Sequence, residues 1–175
     1  GSEAGPYYLW RLPPNSLWEP LGYVYSFAVA PDSTLYILNA QRELQKLPAG
    51  STQWTTLDSG VQSFAMAPVG PLYALDGNRQ LRRLAPGAAS WSTVDTGVQS
   101  FAMAPDGAVV ALTDRQQLRR LTGGGWWITL DKGVQSFAMT EDGAVYELNG
   151  RGELKRLKDH LHKTLASGVQ SFQEF

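Results

Sequence analysis

The sequence predicts an all-β protein, a five-bladed β-propeller of four-stranded antiparallel blades closed by its N- and C-terminal strands in one composite blade. Three observations predict it. First, the heptad Gly-Val-Gln-Ser-Phe-Ala-Met stands at 60–66, 97–103 and 133–139, and its first five residues return at 168–172. A phrase copied four times points to architecture before chemistry, because an active site needs its nucleophile or metal cage only once. Second, Phe27, Phe64, Phe101, Phe137 and Phe172 are spaced by 37, 37, 36 and 35 residues, and each unit breaks into four short strand-like pieces. Third, the chain ends are complementary. Residues 168–175 carry only the first strand of a fifth unit, whereas Tyr8–Leu12 matches Gln80–Leu84 and Ser16–Leu21 matches Ser90–Asp95.

The second unit shows the elements in order: a strand from Val61, another from Pro71, a third from Gln80 and a fourth from Ser90. None is long enough for a typical helix. Asp32-Ser33, Asp106-Gly107 and Asp142-Gly143 follow the first strand, and Asp76-Gly77 or Asn149-Gly150 follows the second. Such pairs tolerate the positive φ of tight hairpins, so each unit reads as a meander. Strict alternation places Gln62, Phe64 and Met66 on one face of the first strand and Val61, Ser63, Ala65 and Ala67 on the other. A bulky face and a small one let copies stack around an axis.

This reading gives repeats at about 24–60, 61–97, 98–133 and 134–168, with the composite blade made of 7–23 and 169–175. Residues 1–6 read as a cloning remnant or linker. Nothing before Tyr8 matches the second strand, so the composite blade has three strands, or a longer natural chain supplies the fourth, or a neighbouring chain does. The protein is expected to be a monomer, or an oligomer in the exchanged case.

Composition narrows the functions. The chain is 43% hydrophobic and 18% charged, with a net charge of −1 and no cysteine. That balance gives no general attraction to nucleic acid. No apolar run reaches the ~20 residues of a membrane helix. Disulfides and thiolate metal cages are excluded. Neither a phosphate-binding glycine loop nor a Ser-centred elbow occurs, two histidines cannot furnish a catalytic triad, and no enzymatic activity or cofactor is expected.

Trp91-x-x-Val94, Gly97-Val98-x-Ser100-Phe101, Asp106-Gly107-x-Val109 and Leu118-Arg119-Arg120 together resemble the tectonin repeat. Five units closed by a C-terminal first strand also resemble the tachylectin family of five-bladed propeller lectins. The resemblance covers nearly the whole chain. It implies shallow, repeated sites between blades that bind glycan ends weakly and gain avidity through multivalency.

Four sets of recurring residues are candidate binding groups. Gln62, Gln99, Gln135 and Gln170, with Tyr25 in the fifth slot, form a ring that either meets an axial ligand or ties each blade to its neighbour's backbone. Trp54, Trp91 and Trp127, with Trp18, open the fourth strands and serve either sugar stacking or inter-blade packing. The fourth full unit has His162 at this position. Asp58, Asp95 and Asp131 lie three residues before Val61, Val98 and Val134, placed either to accept sugar hydroxyls or to cap a turn. Lys46, Arg83, Arg120, Arg156 and Arg11, with Arg82, Arg119 and Lys155 beside three of them, form a basic belt. It either attracts an anion or is a solvated face paired with carboxylates. His160 and His162 have no evident third ligand beyond nearby Asp159, and no metal is expected. The function expected is a non-enzymatic binding module, lectin-like with glycan ligands, or alternatively a protein-interaction scaffold built from recently amplified blades.

Overall fold

The computed structural model describes residues 5–12, 17–68, 70–158 and 161–171. Among them the chain forms β-strands and no helix, so no helix is long and apolar enough to cross a membrane. The first sheet contains β1 (Tyr7–Arg11), β2 (Glu19–Val29), β3 (Leu35–Asn39), β4 (Leu44–Leu47) and β5 (Thr55–Asp58). The second contains β6 (Val61–Met66), β7 (Leu72–Asp76), β8 (Gln80–Leu84) and β9 (Ser92–Thr96). β10 (Val98–Met103), β11 (Val109–Thr113), β12 (Gln117–Leu121) and β13 (Trp127–Lys132) form the third. β14 (Val134–Met139), β15 (Val145–Asn149), β16 (Leu154–Lys158) and β17 (Leu161–Ala166) form the fourth. Each sheet is an antiparallel meander in chain order.

The described residues thus make four sheets where the sequence predicts five. β1 pairs with the first half of β2, Tyr8 opposite Tyr23 and Arg11 opposite Glu19. This pair does not stand alone, because β2 runs on unbroken and joins it to the first sheet. The cause is local: Trp18 to Val24 is one residue shorter than Trp54 to Val61, leaving no room for the Asp-Ser-Gly turn that ends β5. Gly168–Ser171 form no strand, and Phe172 with the rest of the expected closing strand lies outside the described residues.

Both hairpin turns of a unit enclose three residues between a backbone-bonded pair, Ala30 with Thr34 and Asn39 with Glu43 in the first sheet, and the third of them is left-handed. After the first strand this residue is Ser33, Gly107 or Gly143, at φ of 64°, 81° and 79°. After the second strand, positive φ falls on Arg79 and not on Gly77, and on Gly152 and not on Gly150. The side chain explains the shift. Asp76 Oδ1 accepts from the N–H groups of Asn78 and Gln80, both at 2.9 Å, and Asn149 Oδ1 does the same for Arg151 and Glu153. These Asx caps hold a wider loop than a two-residue Asp-Gly turn.

Strict alternation also fails in the first strand. Val61 pairs with Asp76 and Ser63 with Leu75, so Gln62 is the extra residue of a β-bulge. Tyr25, Gln99 and Gln135 occupy the same bulge in the other sheets. An inserted residue reverses the facing of everything before it. Val61 therefore joins Phe64 on the bulky face, as Val98 joins Phe101 and Met103, and Gln62 leaves that face.

The core lies between sheets. Leu38 and Leu44 of the first sheet pack on Val61 and Ala74 of the second. Leu75 and Leu81 pack on Val98, Val109 and Ala111 of the third, and Leu112 and Leu118 on Val134 and Val145 of the fourth. Burying each leucine contributes roughly 1.5–3 kcal/mol. A repeated backbone bond locks each step: Val61 N to Arg42 O, Val98 N to Arg79 O and Val134 N to Gln116 O, at 3.0–3.1 Å. All three acceptors are left-handed residues of the second turn. Phe64, Phe101 and Phe137 each face a preceding sheet, whereas Phe27 faces none among the described residues and is 56% exposed.

Candidate functional site

The recurring polar residues meet at the boundaries between sheets. Asp58 at the end of β5 reaches Arg82 of β8 at 2.7 Å, Asp95 of β9 pairs with Arg119 of β12, and Asp131 of β13 reaches Lys155 of β16 at 2.9 Å. Each pair is separated by 24 residues. The same carboxylates accept the next backbone N–H, from Ser59, Thr96 and Lys132. One side chain thus caps its turn and latches onto the following sheet. Arg82, Arg119 and Lys155 of the basic belt are therefore inside an interface, while Arg120 pairs with Asp106 on the outer part of its own sheet. Where the latch lacks one partner it lacks both: Leu21–Tyr23 carries no Asp, and Gln45 stands at the position of Arg82.

The Asp95–Arg119 pair is mostly buried, so its worth exceeds the few tenths of a kcal/mol of an exposed pair. A double-mutant cycle with Asp95→Ala and Arg119→Ala is expected to give a coupling of about 1 kcal/mol in chemical denaturation. A coupling near zero would show that the latch adds nothing to stacking.

The indoles lie against these latches. Trp91 Nε1 donates to the Leu57 carbonyl of the preceding sheet at 3.1 Å, and the Arg82 guanidinium lies 5.9 Å from its ring centre. Trp127 packs into the core between the second and third sheets, with Arg119 at 5.2 Å. Trp54 is half-buried at the corresponding place. Sequence reasoning passed over Trp126, which is 77% exposed beside Trp127.

The bulged amides differ. Gln62, Gln99, Gln135 and Gln170 are exposed, and among the described residues no side-chain bond from them ties neighbouring sheets together. The carbonyl of Gln62 accepts from Arg42 Nη1 at 3.0 Å, and Arg42 stacks 3.7 Å from the ring centre of Tyr25. The adjoining turns carry exposed Arg79, Arg115 and Arg151. Bulges re-aim side chains, and here they set amide and guanidinium groups along one rim.

The boundary between the third and fourth sheets is built differently. Ala74 and Ala111, both fully buried, correspond to Glu147 on β15, which is 0% exposed. Trp91 and Trp127 correspond to His162 on β17, and Arg82 and Arg119 to Lys155. Asp131, Glu147 and His162 offer ligand atoms within 4.8 Å of one another. Asp131 Oδ2 lies 3.6 Å from His162 Nδ1, and Glu147 Oε1 lies 3.7 Å from Lys155 Nζ. Among the described residues, no donor lies within hydrogen-bonding distance of either Glu147 oxygen. Burial, then the adjacent Asp131 carboxylate, push the Glu147 carboxyl up to about 8 against the pull of Lys155. Burial also opposes charge on Asp131, but bonds from Glu147, Lys155 and the Lys132 N–H outweigh it and hold Asp131 at about 2. The hydrogen bond with Asp131 raises the Lys155 ammonium. His160 lies outside the described residues. Sequence spacing alone missed this group because its members lie 16, 24 and 31 residues from Asp131.

No family model matches the chain, and no curated protein matches it in sequence. Its fold does match solved structures. YCF48 bound to D1 peptide aligns with a TM-score of 0.61 at 12% identity, over 86% of this chain and 58% of that one. PorZ, a surface component of the type-IX secretion system of Porphyromonas gingivalis, aligns with a TM-score of 0.61 at 16% identity, over 93% of this chain and 26% of that one. The extracellular domain of the putative hybrid two-component system BT3049 from B. thetaiotaomicron aligns with a TM-score of 0.61 at 14% identity, over 86% of this chain and 23% of that one. This chain therefore spans from about a quarter to somewhat over half of these structures. The neighbours are β-propeller proteins, and none of them carries the tectonin or tachylectin resemblance further. The chain is thus an all-β protein with a propeller-like fold.

Proposed function

We propose that the chain is a non-enzymatic binding module, a five-bladed propeller that takes a protein partner as an extended peptide along the rim of bulged amides. The observation that carries this reading is the recurrence of exposed Gln62, Gln99 and Gln135 on β-bulges beside arginine-bearing turns. An amide donates and accepts at once, which suits a peptide backbone. The Trp and Asp sets, by contrast, already have partners across the sheet boundaries. YCF48, which is bound to a peptide, shares the fold and supports the reading by analogy.

Closure of the fifth blade is part of the proposal. Val169 N donates to Gly152 O at 2.9 Å, repeating at the fifth copy the bond that starts each of the preceding three sheets. A Cβ on Gly152 would meet Val169 O at 3.0 Å, so the fifth copy is seated closely.

Lectin-like glycan binding is the second reading, favoured by the exposed rings of Trp18 and Trp126, which suit sugar stacking. Peptide and glycan arrays probed with the wild type, the triple variant Gln62→Ala/Gln99→Ala/Gln135→Ala, and Trp126→Ala separate the two. Peptide binding that the triple variant loses is the expected result. Sugar binding lost in Trp126→Ala would replace the peptide reading with the lectin one. Silence on both arrays from a folded protein would contradict both.

A further inference from the structure

Because the units are near copies, they act as internal controls for one another, and the boundary between the third and fourth sheets is the one that departs. Three changes converge there: alanine to Glu147, tryptophan to His162 and arginine to Lys155. Each replaces a group that cannot bind a metal, or binds none well, with one that can bind or yield to one. We infer that Asp131, Glu147 and His162 form a site for a divalent transition metal between these two sheets.

Two observations carry the inference independently. The ligand atoms of the three residues lie within 4.8 Å of one another and comprise two carboxylate oxygens and an imidazole nitrogen, a donor set suited to Zn²⁺ with a fourth position open. Second, Glu147 is fully buried, and in its ionised form neither oxygen has a hydrogen-bond donor. A carboxylate in that condition destabilises the fold unless something with positive charge completes it. Lys155 Nζ does so only in part, since it bonds Asp131 at 2.9 Å and stands 3.7 Å from Glu147. The ammonium therefore competes with the metal for the same carboxylates. His162 also lines a cleft of about 460 Å³ between the two sheets, so one of the three ligands opens toward solvent.

The test uses Zn²⁺ alone, with the whole chain stripped by chelator and titrated by competition with a chromophoric chelator. The wild type is expected to take up one Zn²⁺ and to gain roughly 5–10 °C in Tm at about 100-fold excess over Kd. His162→Ala and Glu147→Ala are each expected to weaken binding more than ~100-fold, beyond the loss caused by removing a merely supporting group. Lys155→Met is expected to tighten it, because the competing ammonium is gone. Glu147→Ala restores the alanine of the other units, so folding, followed by circular dichroism, should survive. Binding that persists in Glu147→Ala but is lost in His160→Ala would place the ion in the loop and overturn the inference. Absence of binding by folded wild type would overturn it equally.

Discussion

Leu118→Ala is expected to lower the stability of the chain by about 2–5 kcal/mol, and Leu154→Ala by a similar amount. Leu44, Leu81 and Leu118 occupy one position of the repeat, are each 0% exposed, and face the sheet that follows. Truncating a leucine there removes transfer energy and leaves a cavity between stacked sheets that cannot easily collapse. Leu154 holds the same position on β16 but is only half-buried, since no further sheet follows β14–β17 among the described residues. In a closed ring the tail and β1 would cover it. Urea denaturation of the two variants decides the matter. Matching losses agree with closure, whereas a loss below about 0.5 kcal/mol at Leu154, the size of an ordinary surface change, would mean that its face is open.

Glu147→Ala is expected to stabilise the metal-free protein by about 1–3 kcal/mol near pH 8, because it removes a buried carboxyl without hydrogen-bond donors while Lys155 keeps Asp131 as its partner. The change inserts what Ala74 and Ala111 already are in the other boundaries. Its pH dependence has a definite sign. Glu147 is raised from 4.5 to about 8 in the folded chain, so the folded state retains a proton that the unfolded state has released. Stability from this group is fully present below 4.5 and is lost as pH rises through 8. Asp131 behaves oppositely: its contribution is present above 3.8 and is lost as pH falls through about 2. The advantage of Glu147→Ala in Tm should therefore grow between pH 5 and pH 8.5. A variant less stable than wild type throughout that range, with chelator present, would contradict this description of the boundary.

What the sequence revealed depended on period. The recurrence of Phe27, Phe64, Phe101 and Phe137 and the Asp-Gly turns were enough to place strands and meanders, because a propeller repeats its sheet once per unit. The bulge escaped an alternating count, since one inserted residue leaves the composition of a strand unchanged while reversing its faces. A signal was present nonetheless: Val61 and Phe64 are apolar residues three positions apart that share one core cluster, and alternation cannot place both on one face. The latch was legible as well, in the constant 24-residue offset from Asp58, Asp95 and Asp131 to a cation. Reading it needs that offset, because local reasoning assigns Asp to its turn alone, and these residues serve both turn and neighbour. The Asp131–Glu147–His162 group had no local signal. It shows only when equivalent positions of successive units are laid on one another in space.

Closure of the ring is the claim on which the blade count and the rim both depend, and repeat symmetry allows it to be measured without reference distances. The chain has no cysteine, so spin labels can be placed in pairs at will. Labels at positions 62 and 99 report the spacing of adjacent blades, and labels at 25 and 170 report the pair that would meet at the seam. Double electron–electron resonance is expected to give the same distance for both pairs. A 25–170 distance longer than that between labels at 25 and 135 would show that the sheets form an open stack and would contradict the account.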